Sequence, residues 1–110
     1  MTILREAAVQ TGVTVIDGGT YVCTNGPALR PRAQIAMYRN AGATPVGMTG
    51  YPEVALAREL DLPYASVGVV SNAAAGANEE PLGLDDIRAV MASTGPQVRL
   101  LLAATAARLA

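Results

Sequence analysis

The sequence predicts an α/β fold in which a mixed sheet is flanked by helices. Short β-branched runs alternate along the chain with segments of helical composition, as in folds that place helices on the faces of a sheet. Glycine and proline punctuate these segments at positions that typically begin or end helices and strands. The 110 residues, 51% hydrophobic and 15% charged, suffice for one small core. We therefore expect residues 1–110 to form a single domain.

The N-terminal part predicts one helix followed by a hairpin. Residues 2–10 have helical composition, and Thr11-Gly12 is a typical helix end because glycine adopts the left-handed conformation readily. Two β-branched runs follow, at 13–16 and 20–24, with Asp17-Gly18-Gly19 between them. Such a spacing favours two strands joined by a tight turn.

The middle of the chain predicts two helices and two apolar runs. A helix is expected from Pro31 to Asn40, because proline is tolerated in the first helical turn and Gly42 follows its end. Residues 44–48 read as a short buried strand, and Pro52 opens the next helix. The apolar run at 62–70 is too β-branched for a helix and ends at Ser71-Asn72.

The C-terminal part predicts a loop and two helices. Residues 72–83 are small and acidic, as expected of a loop, and helical composition resumes at Leu84. Ser93-Thr94-Gly95-Pro96 predicts a break, after which 97–109 forms the last helix. Apolar residues occur over much of the circumference of this last helix, so we expect it to be covered.

Charge and residue types narrow the possible functions. The net charge is -1 and the eight arginines are scattered, which argues against a nucleic-acid partner. Apolar stretches are shorter than a membrane span and no signal peptide is recognisable, so we expect a cytoplasmic protein without a membrane partner. The absence of histidine excludes a His-based metal site, and we expect no metal or organic cofactor. Cys23, the one cysteine, is expected to be a buried strand residue.

Small polar residues follow the predicted strands and are the first candidates for a site. In open α/β sheets, ligands bind outside the carboxyl ends of strands. The segments there are Thr24-Asn25-Gly26-Pro27, Met48-Thr49-Gly50 and Ser71-Asn72. Residues of these types also form ordinary turns, so position alone leaves a structural and a functional interpretation open.

Longer motifs carry a resemblance to a known family. The stretches DGGTYVCTNGP (17–27), RAQIAMYRNAGA (32–43) and VGMTGYPEVALARELDLPYASVGVVSN (46–72) resemble the C-terminal half of the trimeric purine nucleoside phosphorylases and methylthioadenosine phosphorylases. The resemblance extends over nearly the whole chain. It implies the C-terminal half of a nucleoside-phosphorylase-like fold, and a reaction in which phosphate attacks the anomeric carbon of a nucleoside while the purine leaves. Phosphate would be a co-substrate, with no further cofactor.

The resemblance also implies roles for individual residues. Met48 of the GMT motif corresponds to a ribose contact, and Thr49 corresponds to a phosphate contact. Asn72 corresponds to the residue that meets the purine near N7 and the 6-substituent and assists its departure, with Ser71 beside it at the base. An asparagine resembles the members that act on 6-oxopurines, because its amide donates a hydrogen bond to an oxo group. A turn-forming role for Asn72 remains the structural alternative.

Two positions depart from the family pattern at the predicted base site. The family usually has Phe and Glu where this sequence has Leu29 and Arg30. Leu29 can pack against a base but lacks the stacking geometry of an aromatic ring, and Arg30 reverses the charge of a glutamate. Arg30 is therefore open to three interpretations: contact with a partner chain, an anionic ligand, or a solvated surface position.

The resemblance covers only the C-terminal half of the family's fold and leaves three hypotheses for how the chain acts. The N-terminal half of the family's fold carries the glycine-rich phosphate loop, a phosphate-binding arginine and a histidine, so we expect a partial domain that is inactive alone. One hypothesis is the small subunit of a split or heteromeric purine nucleoside or methylthio-nucleoside phosphorylase, in a hetero-oligomer with three-fold symmetry. A second is a non-catalytic structural or regulatory subunit that binds a full-length phosphorylase. A truncated gene product without a retained role is the third.

Overall fold

A computed structural model describes residues 2–26, 29–77 and 83–110 of the chain. They divide into two compact units, one of residues 2–18 with 83–110 and the other of residues 19–26 with 29–77. The first is helical and the second contains a small parallel sheet with two helices. The predicted α/β class is therefore confirmed, whereas the assignment of residues 1–110 to a single domain stays a prediction.

The first unit is built from helices α1 (Thr2–Thr11) and α4 (Leu84–Leu109), which pack against each other. Its core consists of Ala7, Ala8 and Leu101, all of which are buried. Because alanine has no side chain beyond Cβ, Leu101 can pack directly against α1. Partly buried side chains complete this cluster: Leu4, Val13 and Ala104.

Helix α1 ends where the sequence predicts. Gly12 follows it with a φ of +70°, and its amide donates to the Val9 carbonyl across 3.4 Å. Thr11 adds a local bond, since its hydroxyl donates to the Ala7 carbonyl across 2.8 Å.

Helix α4 corrects the prediction of two C-terminal helices. It is continuous through Pro96, which lies inside it. Proline lacks the amide hydrogen that would bond to the carbonyl four residues earlier, so continuity there has an energetic cost. Because the helix continues past Pro96, Leu101 packs against α1, and this packing offsets the energetic cost of the proline. The last helix is covered only on the face that carries Leu101, because Leu100, Leu102 and Leu109 are about half exposed or more.

The second unit contains strands β1 (Val22–Cys23) and β2 (Val46–Gly47), which pair in parallel. Val22 lies opposite Val46, and Cys23 lies opposite Gly47. The Val22 amide donates to the Pro45 carbonyl across 3.0 Å, and the Thr24 amide donates to the Gly47 carbonyl across 2.8 Å. The predicted mixed sheet is thus a two-stranded parallel one within the described residues.

The predicted hairpin is wrong. Residues 13–16 are not a strand, and β1 takes its partner from residues 46–47 further along the chain. Gly18 and Gly19 have the positive φ values of a turn, +91° and +103°, but no antiparallel pairing follows. Turn residues define a local bend, whereas the pairing partner is decided by hydrogen bonds across the whole unit.

Helices α2 (Arg32–Asn40) and α3 (Glu53–Glu59) confirm their predicted positions. Pro31 and Pro52 directly precede them. Ile35 is the buried residue of α2, and Gly42 follows that helix with a φ of +87°. The helix between β1 and β2 lets two parallel strands end at the same edge of the sheet.

Three further expectations have mixed outcomes. The run at 62–70 is not helical, as predicted, but no sheet pairing is found for it and most of it is exposed. Cys23 lies in a strand as expected, yet it is exposed, because a two-stranded sheet leaves part of its surface uncovered. Within the predicted loop at 72–83, residues 78–82 lie outside the described ones.

Candidate active site

The carboxyl ends of β1 and β2 bring two predicted site segments together. Thr24-Asn25-Gly26 follows β1, while Pro27 of the same predicted segment lies outside the described residues, and Met48-Thr49-Gly50 follows β2. Because the strands are parallel, both segments leave the sheet at the same edge. Gly26 lies against Met48 so closely that a Cβ at Gly26 would be 2.9 Å from the Met48 sulfur. This edge is the candidate site.

Met48 and Thr49 are accessible at this edge. Met48 is 37% exposed, and Thr49 is also exposed. The Thr49 backbone amide donates a hydrogen bond to the Tyr21 hydroxyl across 3.2 Å. Thr24 ties the end of β1 to β2, because its hydroxyl donates to the Gly47 carbonyl across 3.3 Å. Hydrogen bonds involving Thr24 and Tyr21 therefore hold the segment that carries Met48 and Thr49, and both of these residues remain accessible to a ligand.

Tyr21 is a residue at this site that the sequence interpretation missed. It precedes β1 by one position, and its ring lies between Gly47 and Gly50. No local pattern indicates this contact, because it depends on the pairing of two strands separated by a helix. The glycines on both sides of Met48-Thr49 were the available signal, since paired glycines often mark a close approach of another group.

Ser71 and Asn72 form the third predicted segment, which lies in the same unit. The Ser71 hydroxyl donates to Asn72 Oδ1 across 2.7 Å, and Asn72 Nδ2 donates to the Ala73 carbonyl across 2.8 Å. These bonds engage one acceptor position and one donor hydrogen of the amide, which leaves one of each for a ligand. Among the described residues, no hydrogen bond joins this pair to Thr49.

Leu29 and Arg30 lie on the segment that follows β1. Leu29 is 76% exposed, so it has no packed position within the described part of the chain. The Arg30 guanidinium donates from Nη2 to the Asn25 carbonyl, while its buried Nε has no partner among the described residues. The Arg30 guanidinium is therefore engaged by the backbone of a residue five positions earlier.

None of the described grooves outside this edge involves a predicted site residue. Two shallow grooves lie on the helical unit, beside Arg5 and Val9, and contain none of the predicted site residues. Within residues 2–26, 29–77 and 83–110, no group of three or more His, Cys, Asp or Glu could hold a metal ion. The helices in these ranges include none that combines the length and apolar character needed to cross a membrane.

Residues of the GMT motif, 47–49, lie at the carboxyl end of β2, and Ser71-Asn72 follow further along the chain, as in the motifs that carry the family resemblance. The sequence model of the Phosphorylase superfamily matches residues 1–107, and the chain belongs to this superfamily. The resemblance inferred from the motifs is thereby confirmed.

Individual relatives narrow the similarity to enzymes of nucleoside phosphorolysis. The chain is 41% identical over 106 residues to the probable S-methyl-5'-thioinosine phosphorylase of Thermodesulfovibrio yellowstonii. The aligned residues cover 96% of this chain and 40% of that protein. It is 46% identical over 102 residues to the probable 6-oxopurine nucleoside phosphorylase of Dictyoglomus turgidum, covering 93% and 38%. For the 6-oxopurine nucleoside phosphorylase of Pyrococcus furiosus the identity is 42% over 102 residues, covering 92% and 38%. The chain thus spans about two fifths of the length of these relatives.

Proposed function

We propose that the chain supplies the nucleoside-contacting part of a purine nucleoside phosphorylase that prefers 6-oxopurine bases. In this proposal it is the small subunit of a split or heteromeric enzyme whose companion polypeptide completes the phosphate site. The single observation that supports it best is the contact between Gly26 and Met48 at the common edge of β1 and β2, in a chain of the Phosphorylase superfamily. The names of the relatives, which specify 6-oxopurine nucleosides or methylthioinosine, support the substrate class.

The proposed reaction divides the work among three residues. Phosphate attacks the anomeric carbon of the nucleoside, the glycosidic bond breaks, and the purine leaves with the bonding electron pair. Met48 packs against the ribose, and the Thr49 hydroxyl donates a hydrogen bond to the attacking phosphate. Holding phosphate and nucleoside together in this way lowers the entropic part of the barrier.

Asn72 stabilises the leaving purine in this proposal. The purine leaves with the bonding electron pair and takes up a proton at N7 from solvent. The free acceptor position of Oδ1 accepts a hydrogen bond from this N7–H, and the free Nδ2 hydrogen is donated in a hydrogen bond to the 6-oxo group. The Ser71 hydroxyl supports this orientation because it donates to Oδ1 and thereby opposes an amide flip. A 6-amino group would offer a donor to the Nδ2 donor, which accounts for the preference for 6-oxopurines.

Native mass spectrometry of the tagged chain, purified from its own host, tests the split-enzyme proposal. We expect a second polypeptide to co-purify in an assembly with three-fold symmetry. The complex should then release hypoxanthine from inosine or methylthioinosine only when phosphate is added. A Thr49→Ala complex should need roughly tenfold more phosphate, because a hydrogen bond to a charged group is lost, while Thr49→Ser should behave like the wild type. A chain that purifies without a companion, or a complex that is inactive with both nucleosides, contradicts the proposal.

A second candidate function is a non-catalytic structural or regulatory subunit of a full-length phosphorylase. The exposure of Leu29 and the engagement of Arg30 by Asn25 favour it, because neither side chain is arranged to bind a base. Under this alternative a full-length phosphorylase co-purifies with the chain, and Thr49→Ala leaves its phosphate requirement unchanged. The same two measurements therefore distinguish the two functions.

A further inference from the structure

Tyr21 links the start of β1 to the segment that follows β2. Its hydroxyl accepts the hydrogen of the Thr49 amide across 3.2 Å. The tyrosine is 37% exposed, so the remaining part of its surface is covered by the protein. The bond connects residues 28 positions apart in sequence. It therefore restrains Thr49 from outside its own segment.

Gly47 and Gly50 provide the space for this ring. A Cβ at Gly47 would lie 3.0 Å from the ring carbons Cε2 and Cζ, and a Cβ at Gly50 would lie 2.7 Å from Cε1. Cε1 and Cε2 are on opposite edges of the ring, so the tyrosine sits between the two glycines. Neither glycine has a positive φ, so the left-handed conformation does not account for glycine at these positions. Space for the Tyr21 ring is thus the physical reason for glycine at both positions.

We propose that Tyr21 is a positioning residue of the candidate active site. Its ring sets the path of residues 47–50, and its hydroxyl holds the Thr49 amide, which leaves the Thr49 hydroxyl as the group that this residue offers to phosphate. The part concerning phosphate rests on the function proposed above. The restraint of the Thr49 backbone by Tyr21 is a separate statement and can be measured without activity.

Tyr21→Phe is the informative substitution, because it removes the hydroxyl and keeps the ring between Gly47 and Gly50. The matched control is Tyr38→Phe on α2, where the lost hydroxyl accepts a hydrogen bond from Gln34 Nε2 at 2.8 Å. Both variants lose one hydroxyl acceptor from a tyrosine of the same unit. The lost hydroxyl accepts a hydrogen bond from the Thr49 amide in the case of Tyr21 and from Gln34 in the case of Tyr38.

Hydrogen exchange of backbone amides in the full ¹⁵N-labelled chain tests the restraint. We expect the Thr49 amide to exchange about three- to tenfold faster in Tyr21→Phe than in the wild type, as for loss of an ordinary hydrogen bond, and to be unchanged in Tyr38→Phe. Equal Thr49 exchange in Tyr21→Phe and the wild type would overturn the proposal. Faster exchange at every amide would also overturn it, because it would mean that Tyr21 serves general stability.

Titration with inorganic phosphate, in the complex obtained from the host, tests the link to the site. In the wild type we expect phosphate to shift the Thr49 resonance, and in Tyr21→Phe we expect a three- to tenfold higher KM for phosphate with an unchanged KM for the nucleoside. If phosphate does not shift the Thr49 resonance of the wild type, the proposed function is refuted. The hydrogen-exchange result then still tests whether Tyr21 restrains the Thr49 backbone. A shift in the wild type together with an unchanged phosphate KM in Tyr21→Phe refutes the positioning role.

Discussion

Gly26 and Met48 lie in contact at the carboxyl ends of two parallel strands, with room for a hydrogen but not for a methyl group between them. A Cβ at Gly26 would approach the Met48 sulfur to 2.9 Å and Met48 Cβ to 3.4 Å. The segment after β1 therefore determines where the Met48 side chain can lie. This relationship makes Gly26 a sensitive position for any ligand that Met48 contacts.

Substitution Gly26→Ala should move Met48 without unfolding the protein. The flexible thioether can rotate away from the new methyl group, so we expect a loss of less than about 1 kcal/mol in the free energy of unfolding. In the complex, the KM for the nucleoside should rise by roughly tenfold, because the ribose loses its packed neighbour. Gly68→Ala is the matched control, since a Cβ at Gly68 would have no atom within 4 Å. Steady-state kinetics check the effect, and equal nucleoside KM values for the two variants would contradict it.

Substitution Asn72→Asp should change the preferred base. A carboxylate accepts hydrogen bonds from a 6-amino group but cannot donate one to a 6-oxo group. The ratio of kcat/KM for adenosine to that for inosine should therefore rise by about tenfold or more in the complex. Asn40→Asp, at the end of α2, makes the same chemical change at an exposed position and should leave the ratio unaltered. An unchanged ratio in Asn72→Asp would show that this amide does not meet the base.

Substitution Leu101→Ala should destabilise the helical unit. Leu101 is 2% exposed and packs with Ala7 and Ala8, so truncation leaves a cavity that the small neighbours cannot fill. We expect a loss of about 2–5 kcal/mol in the free energy of unfolding, measured by urea denaturation followed by circular dichroism. Leu102→Ala is the control on the same helix, at a side chain that is half exposed, and should cost about 1 kcal/mol or less. Comparable losses in both variants would be inconsistent with the described core.

Substitution Pro96→Ala should stabilise the protein. Pro96 lies inside the continuous helix α4, and alanine there would restore an amide donor and remove the ring. The gain should be about 1–3 kcal/mol in the free energy of unfolding, on the scale of the proline penalty in a helix interior. If the chain instead breaks at 93–96, as its sequence alone predicts, alanine would remove a favourable first-turn proline and the same denaturation experiment would show no gain.

The sequence predicts individual residues of the candidate site, but it does not predict the contacts between them. Met48, Thr49 and Asn72 are predicted site residues because they stand in motifs that are contiguous in the chain. Tyr21 was missed because its partner is 28 positions away and becomes adjacent only when β1 and β2 pair. Cys23 shows the same limit, since its strand was predicted correctly and its burial was not.

The sequence by itself determined the positions of α1, α2 and α3. Their boundaries depend on Gly12, Pro31, Gly42 and Pro52, whose backbone preferences act within a few residues. Only the tertiary structure decided that β1 pairs with β2 and not with residues 13–16. It also decided that α4 continues through Pro96. Strand pairing and helix packing are set by hydrogen bonds and buried contacts between distant residues, and these can outweigh a local turn signal or the cost of one proline.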